Sequence, residues 1–239
     1  MDKRTLVRDV TLFKGVTEAT LKVLEPCFRL KRFSRGELLW REGQASTNFT
    51  FIARGRVKLV RQRSDGQELI IDIYGQGEAV GEAAAYMRVP YPASAVALDE
   101  VVALVIHRDH LHGTLQRDAG LLEVLLQGMM DQHLRMLRRL GEVTTASAEQ
   151  RLALLFVRFA DREGVEARGE EGVYVGVPLS RRDLCDLINT RVETAIRLMS
   201  RWQKAGWVRT DKKGFTILDL EVLRTLAEGL EGAEGATDP

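Results

Sequence analysis

The chain has 239 residues, 45% of them hydrophobic and 29% charged, which is enough apolar material for a packed core and excludes a disordered or collagen-like chain. Lys plus Arg number 35 against 34 for Asp plus Glu, a formal charge of +1, which excludes a uniformly basic, histone-like binder. Cys27 and Cys185 are the two cysteines and stand far apart, so one chain holds neither a disulfide framework nor a four-cysteine zinc or iron-sulfur site, and a reducing cytoplasm is the expected setting. The longest apolar runs, 101–106 and 152–157, are six residues each, and residues 1–10 are too charged for a signal peptide, so no membrane partner is expected.

In chain order, residues 7–29 read as a helical cap whose apolar side is Phe13 and 21–24. From 33 to 106 short apolar runs alternate with Gly36, Gly43, Gly55, Gly66, Gly75, Gly77 and Gly81. The stretches 50–52, 57–60 and 69–74 are β-rich, with Ser64-Asp65-Gly66 as a hairpin turn, which together predict a small all-β roll or barrel. After Arg117 the period changes. Leu122, Leu126, Met129, His133, Met136, Leu140 and Val143 are spaced 4, 3, 4, 3, 4, 3, the seam of a coiled coil. Leu121, Val124, Leu125 and Leu137 form a neighbouring face that can rest on the roll while the seam meets a twin helix. A homodimer is the simplest reading, and a helix buried inside one monomer is the alternative. His133 at a core heptad position would set register, or else titrate or ligate. The predicted division is 1–118 for the sensory roll, 119–145 for the dimer helix and hinge, and 146–239 for the remainder.

Ser147 with Gln150 is a capping box that starts a helix through Ala160. Residues 161–172 read as a charged loop and 173–177 as a short strand. Ser180, with Asp183 at the third position, caps a helix faced by Leu184, Leu187 and Ile188. Asn189-Thr190 suits the left-handed turn between two helices. The next helix, 191–204, buries Ala195, Leu198, Met199 and Trp202 and turns Glu193, Arg197 and Arg201 outward. Two strands, 207–210 and 215–218, joined by Asp211-Lys-Lys-Gly, complete a helix, turn, helix and wing. Arg197 can donate two bonds to guanine N7 and O6, and Glu193 can accept from cytosine N4. The bland alternative is an exposed ion pair worth a few tenths of a kcal/mol. Arg181, Arg182, Arg191, Thr194, Lys212 and Lys213 are the expected sequence-blind phosphate contacts. From 180 to 217 nine basic residues face four acidic ones, a local +5, whereas from Leu218 on six acids face Arg224 alone. The near-neutral total hides a basic head beside an acidic tail.

The order of roll, long helix and winged helix-turn-helix resembles the Crp/Fnr family of bacterial transcription regulators over nearly the whole chain. Phe33-Ser-Arg-Gly-Glu-Leu-Leu and Arg41-Glu-Gly resemble the start of its roll, and Gly81-Glu82-Ala83 stands where its Gly-Glu-Leu effector cassette begins. Leu179-Ser-Arg-Arg-Asp-Leu and Val192-Glu-Thr-Ala-Ile-Arg-Leu resemble its DNA-reading signature. The resemblance implies an α+β chain with a cyclic-nucleotide-binding-like roll, a homodimer on a palindromic operator, and base reading by Val192, Glu193 and Arg197. Val192 points to the Fnr branch, while Ile196 departs from it, a serine being usual there. RNA polymerase is an implied partner, touched in activators of the family around 161–172. In nucleotide-binding members a glutamate, an arginine and a small polar residue hold the ligand. Gly81, Glu82 and Ser94 are present, but Val89-Pro-Tyr-Pro-Ala before Ser94 lacks the arginine. A buried cyclic phosphate without that partner loses several kcal/mol, so cyclic AMP is not expected. An Fnr-type iron-sulfur cluster is not expected either, with Cys27 alone in the sensory half. The cassette around Pro90-Tyr-Pro-Ala-Ser resembles Dnr and HcpR-like members, some of which sense nitric oxide through haem, and this keeps haem open as a cofactor beside an effector-independent reading. His107, His110, His112 and His133 are the available imidazoles, and no metal site is assigned to them. No GxSxG, HExxH, Walker or Rossmann pattern occurs, so no enzyme is predicted.

Overall fold

The computed structural model describes residues 3–10, 13, 16–62, 68–167, 171–211 and 213–228. The turn expected at 64–66, Lys212 and the last acidic residues lie outside them. The chain packs as two units, Met1–Arg135 and Met136–Pro239.

The first unit opens with α1 (Lys3–Asp9), α2 (Glu18–Leu24) and a 3-10 turn (Glu25–Cys27). The single helical stretch expected over 7–29 is therefore broken. Thr17 starts α2 afresh by accepting from the Thr20 amide, and Pro26, without an N–H, ends the helical run before strand β1 (Arg29–Phe33). Then follow β2 (Leu38–Trp40), β3 (Asn48–Arg54), β4 (Val57–Gln62), β5 (Glu68–Tyr74), β6 (Ala79–Val80), α3 (Glu82–Met87), β7 (Ser94–Ala97), β8 (Val101–His107) and α4 (Arg108–Leu115). The strands make two four-stranded sheets, ordered β1-β8-β3-β6 and β2-β7-β4-β5, which is the predicted roll.

The first sheet is apolar on both faces. Phe49, Phe51 and Ala53 of β3, with Leu104 and Ile106 of β8, pack against Val7, Phe13, Leu24 and Leu111 from the helices. The alternate residues Ile52, Ala103 and Val105 face the roll interior with Trp40, Val57 and Ala95. That double burial explains the unbroken run 101–106. Phe13, Phe28 and Phe51 meet edge to face at 5.2 to 6.0 Å and staple the helical cap to the sheet.

Helix α5 (Ala119–Thr145) has 27 residues and so runs about 40 Å. The boundary between the two units falls within it. Its first half lies on the roll, with Leu121 and Leu125 buried in the helix-side core.

In the second unit α6 (Ala148–Glu163) starts at the expected Ser147/Gln150 capping box. It runs three residues past Ala160, and β9 (Val165–Glu166) follows, so the stretch 161–172 is not wholly a loop. Next come β10 (Val173–Val175), α7 (Arg181–Leu187), α8 (Val192–Lys204), β11 (Val208–Thr210), β12 (Phe215–Ile217) and α9 (Leu220–Glu228), with sheet order β11-β12-β10-β9. Phe156 of α6 centres this core, 5.7 Å from Trp202 and 4.2 Å from Phe215. The acidic tail read from Leu218 on contains a helix: Leu223 and Ala227 of α9 are buried, a four-residue spacing that the count of acids obscured.

Candidate DNA-reading surface and roll interior

The turn between α7 and α8 is built from local hydrogen bonds. Ser180 Oγ accepts from the Asp183 amide at 3.1 Å, and Asp183 Oδ2 accepts from the Ser180 amide at 2.9 Å, a reciprocal cap. Asn189 takes φ +47°, the left-handed conformation foreseen for it, and the Thr190 amide donates back to the Cys185 carbonyl at 3.0 Å, closing α7 in the Schellman manner. A third support was not foreseen. Arg151 of α6 donates from Nε to the Ile188 carbonyl at 2.8 Å and from its guanidinium to the carbonyls of Asn189 and Ala146. The turn is thus clamped by a residue 37 positions away.

Helix α8 buries Ala195, Leu198, Met199 and Trp202. Glu193 and Arg197 are exposed on its other side, and neither side chain forms a hydrogen bond or ion pair with another described residue. Beside them Val192 and Ile196 are 42% and 45% exposed. Arg201, expected on the same outward face, is instead drawn to Glu149 of α6, whose Oε1 also accepts from Trp202 Nε1 at 3.0 Å. Burial raises the Glu149 carboxyl, but hydrogen bonds from Arg201 and Trp202 outweigh it and hold the group below the usual carboxylate range. Arg182, Arg191 and Lys213 are exposed, and Arg181 and Thr194 are half-buried. At the wing tip Asp211 Oδ1 accepts from the amides of Lys213 and Gly214 at 2.6 and 2.8 Å, which shapes the turn.

Of the three residues expected to share an effector pocket, Glu82 lines a cavity beside α5 that Gly81 and Ser94 do not line. Ser94 Oγ accepts from the Glu42 amide at 2.9 Å. Gly81 caps α3 at φ +72°. Glu82, 4% exposed, lines a cavity of about 330 Å³ with Gly77, Glu78 and Ala79 on the roll and residues of α5 from Val124 to Arg135. Gln132 hydrogen-bonds Glu82 and donates from Nε2 to the Ala79 carbonyl at 3.1 Å. Arg135 pairs with Glu78 at 3.1 Å. Burial pushes the Glu82 carboxyl up to about 7, and Glu78 adds to that rise. The roll interior itself holds Trp40 and Tyr91, stacked at 4.2 Å and 17°. Both are buried and tied, Trp40 Nε1 to the Ala93 carbonyl and Tyr91 Oη to the Asn48 carbonyl, each at 3.1 Å. Sequence reading missed this pair because its members lie 51 residues apart.

Along α5, Leu122, Leu126, Met136 and Leu140 are 39 to 58% exposed and His133 is exposed; the side chain of Val143 lies outside the described residues. Met129 packs half-buried against the roll core, while Leu137, assigned by the sequence to the roll side, is 48% exposed. Met130 and Leu134, which the heptad count passed over, are also exposed. His107 caps α4 with its ring 6.2 Å from that of His110, and His112 meets Tyr86 edge to face at 5.5 Å. Among the described residues no three His, Cys, Asp or Glu side chains gather into a metal-sized cluster, and no helix is long and apolar enough to cross a membrane.

Comparison with known proteins agrees with this architecture. Residues 30–118 match the cyclic nucleotide-binding domain family and residues 150–226 the Crp-like helix-turn-helix domain family. A CRP-like cAMP-activated global transcriptional regulator of Mycobacterium tuberculosis is 26% identical over 212 residues, covering 89% of this chain and 94% of that protein. The anaerobic regulatory protein of Haemophilus influenzae is 26% identical over 195 residues, covering 82% and 75%. A CRP-family transcriptional regulator from Thermus thermophilus shares the fold with a TM-score of 0.72 at 22% identity, over 82% of this chain and 96% of that one. A roll, a long helix and a winged helix-turn-helix in this order, matched along most of its length, make the chain a DNA-binding transcriptional regulator of the Crp/Fnr family.

Proposed function

We propose that the protein acts as a homodimer on a palindromic operator, with α8 of each protomer in the major groove and the half-sites about one helical turn, roughly 34 Å, apart. The observation that carries this reading is the pair Glu193 and Arg197. One turn apart on an exposed face, with no side-chain ion pair to another described residue, they keep their hydrogen-bonding capacity for base edges, with Arg197 on guanine and Glu193 on the paired cytosine. Val192 lies beside them, and Arg181, Arg182, Arg191, Thr194, Lys212 and Lys213 supply phosphate contacts that fix register. In Arg197→Ala, binding to an operator selected from randomised duplexes should weaken by about 1 to 3 kcal/mol, roughly 5- to 150-fold, with affinity for unrelated DNA at the same salt retained. An equal loss on every sequence would make Arg197 a phosphate contact and overturn the assignment.

The exposed apolar stripe of α5 supports dimerisation. It follows Leu126, Met130, His133, Leu137 and Leu140 at 4, 3, 4, 3 spacing, flanked by Leu122, Leu134 and Met136, and a stripe of that kind is a seam for a second copy of the same helix. In functional terms residues 1–118 are the roll, 119–145 the dimer helix and 146–239 the reading head. Bound beside a promoter in the cytoplasm, the dimer would meet RNA polymerase, with the charged segment 161–172 as the contact.

The roll does not fit cyclic AMP. Its interior is filled by Trp40 and Tyr91. The cavity beside α5 carries Glu78, Glu82 and Asp131 against Arg135, which Glu78 already neutralises. A cyclic phosphate there would face the carboxylates of Glu78 and Asp131. We therefore read the regulator as one that does not answer to cyclic AMP.

A further inference from the structure

We propose that Ile196 is a specificity-determining residue that recognises a thymine methyl group next to the G·C pair read by Glu193 and Arg197. The inference rests on the reading of α8 as the DNA-contacting helix and extends it to a base that no hydrogen-bonding side chain addresses.

The outward side of α8 carries two parallel rows. Glu193 and Arg197 form one. Val192 and Ile196 form the other, about 100° away around the helix. Their exposures of 42% and 45% mean that neither contributes its full side chain to the core, which is built instead by Ala195, Leu198, Met199 and Trp202. Single exposed apolar residues are ordinary on protein surfaces. A β-branched pair one turn apart, in the first two turns of a recognition helix, is different, because these are the turns that approach the base edges. β-branched residues also favour a helix less than alanine, lysine or glutamate, so this row is not explained by helix formation. In the major groove the apolar feature of a base edge is the C5 methyl of thymine, and an aliphatic side chain is its natural contact. Val192 and Ile196 are separated by about 6 Å along the helix axis, close to two base steps at 3.4 Å, so the two residues meet different base pairs. Arg201, which would otherwise place a cation one turn beyond Arg197, is held by Glu149. The half-site is therefore read by one polar pair flanked by apolar contacts.

The test begins with selection of an operator from randomised duplexes by the full-length protein. Each thymine of the half-site is then replaced in turn by deoxyuridine in both half-sites, which removes the methyl group and leaves every hydrogen-bonding atom in place. At one position the wild-type protein should lose about fourfold in affinity per half-site. Ile196→Ala should bind the thymine and deoxyuridine duplexes equally, with an unchanged circular dichroism spectrum, and Ile196→Val should keep part of the discrimination. Wild-type binding indifferent to every substitution, or a thymine preference that survives intact in Ile196→Ala, would overturn the role of Ile196. Failure of the underlying reading looks different: Arg197→Ala would then select the same operator as the wild type, and both assignments would fall together.

Discussion

Replacing Gly81 by alanine tests whether the roll interior is filled by its own side chains. Two penalties are superimposed at this position. The backbone sits at φ +72°, where an L-residue costs about 1 to 2 kcal/mol relative to glycine. The added Cβ would also lie 2.8 Å from Tyr91 Cε1 and 2.9 Å from Trp40 Cζ2, well inside the roughly 3.5 to 4.0 Å at which carbon atoms rest. Neither ring can give way freely. They stack on each other, and each is tied to a backbone carbonyl at 3.1 Å. Overpacking of this kind adds about 1 to 3 kcal/mol, so the total expected loss is about 2 to 5 kcal/mol. Hydrogen exchange of the β3 amides across a urea series is the suitable assay, because it reports opening of the roll separately from the second unit. In a Tyr91→Leu background Trp40 can slide into the vacated space, and Gly81→Ala should then cost only the backbone strain. A loss below about 1 kcal/mol in the natural background, or the same loss in both backgrounds, would refute the filled interior.

Two further outcomes follow from the cavity and the seam. Glu82 holds its proton up to about pH 7 when folded, against an ordinary value of 4.5. The folded state therefore binds the extra proton between those values, and this group's share of roll stability is lost as pH rises from about 4.5 to 7, by up to about 3 kcal/mol. Glu82→Gln should remove that slope and be more stable than the natural chain at pH 8 but not at pH 4; parallel stability curves for the two proteins would contradict the burial argument. Replacing both Leu126 and Leu137, 53% and 48% exposed, by glutamate should yield a monomer in sedimentation and abolish tight binding to a palindrome. Persistence of a dimer at micromolar protein would move the interface elsewhere.

What could be read from the chain alone was set by interactions between near neighbours. The caps at Ser147 and Ser180 and the left-handed Asn189 are hydrogen-bond and backbone preferences within a few residues, so residue type and spacing suffice. The same holds for the outward placement of Glu193 and Arg197, which follows from the period of α8. Along α5 an apolar stripe is exposed, but its members differ from those of the heptad count. Met129, counted in the seam, packs half-buried against the roll core, and Leu137 is exposed, because one residue turns a helix by about 100° and only packed neighbours decide which apolar row is covered.

The rest depended on pairs that meet only after folding. Arg201, though exposed on α8, is engaged by Glu149, 52 residues earlier, which α6 presents to it. Arg151 holds the turn at Ile188. Glu82 and Ser94, adjacent in the expected pocket, point to different partners, Gln132 and Glu42, and the space between strands is taken by Trp40 and Tyr91. The capped turns, the pattern of strands and helices and the residue types on the outer face of α8 are legible in the chain, since propensity and periodicity are local. The pairing of Arg201 with Glu149 and the stacking of Trp40 on Tyr91 are not legible there, because each joins side chains some fifty residues apart that meet only when the chain folds.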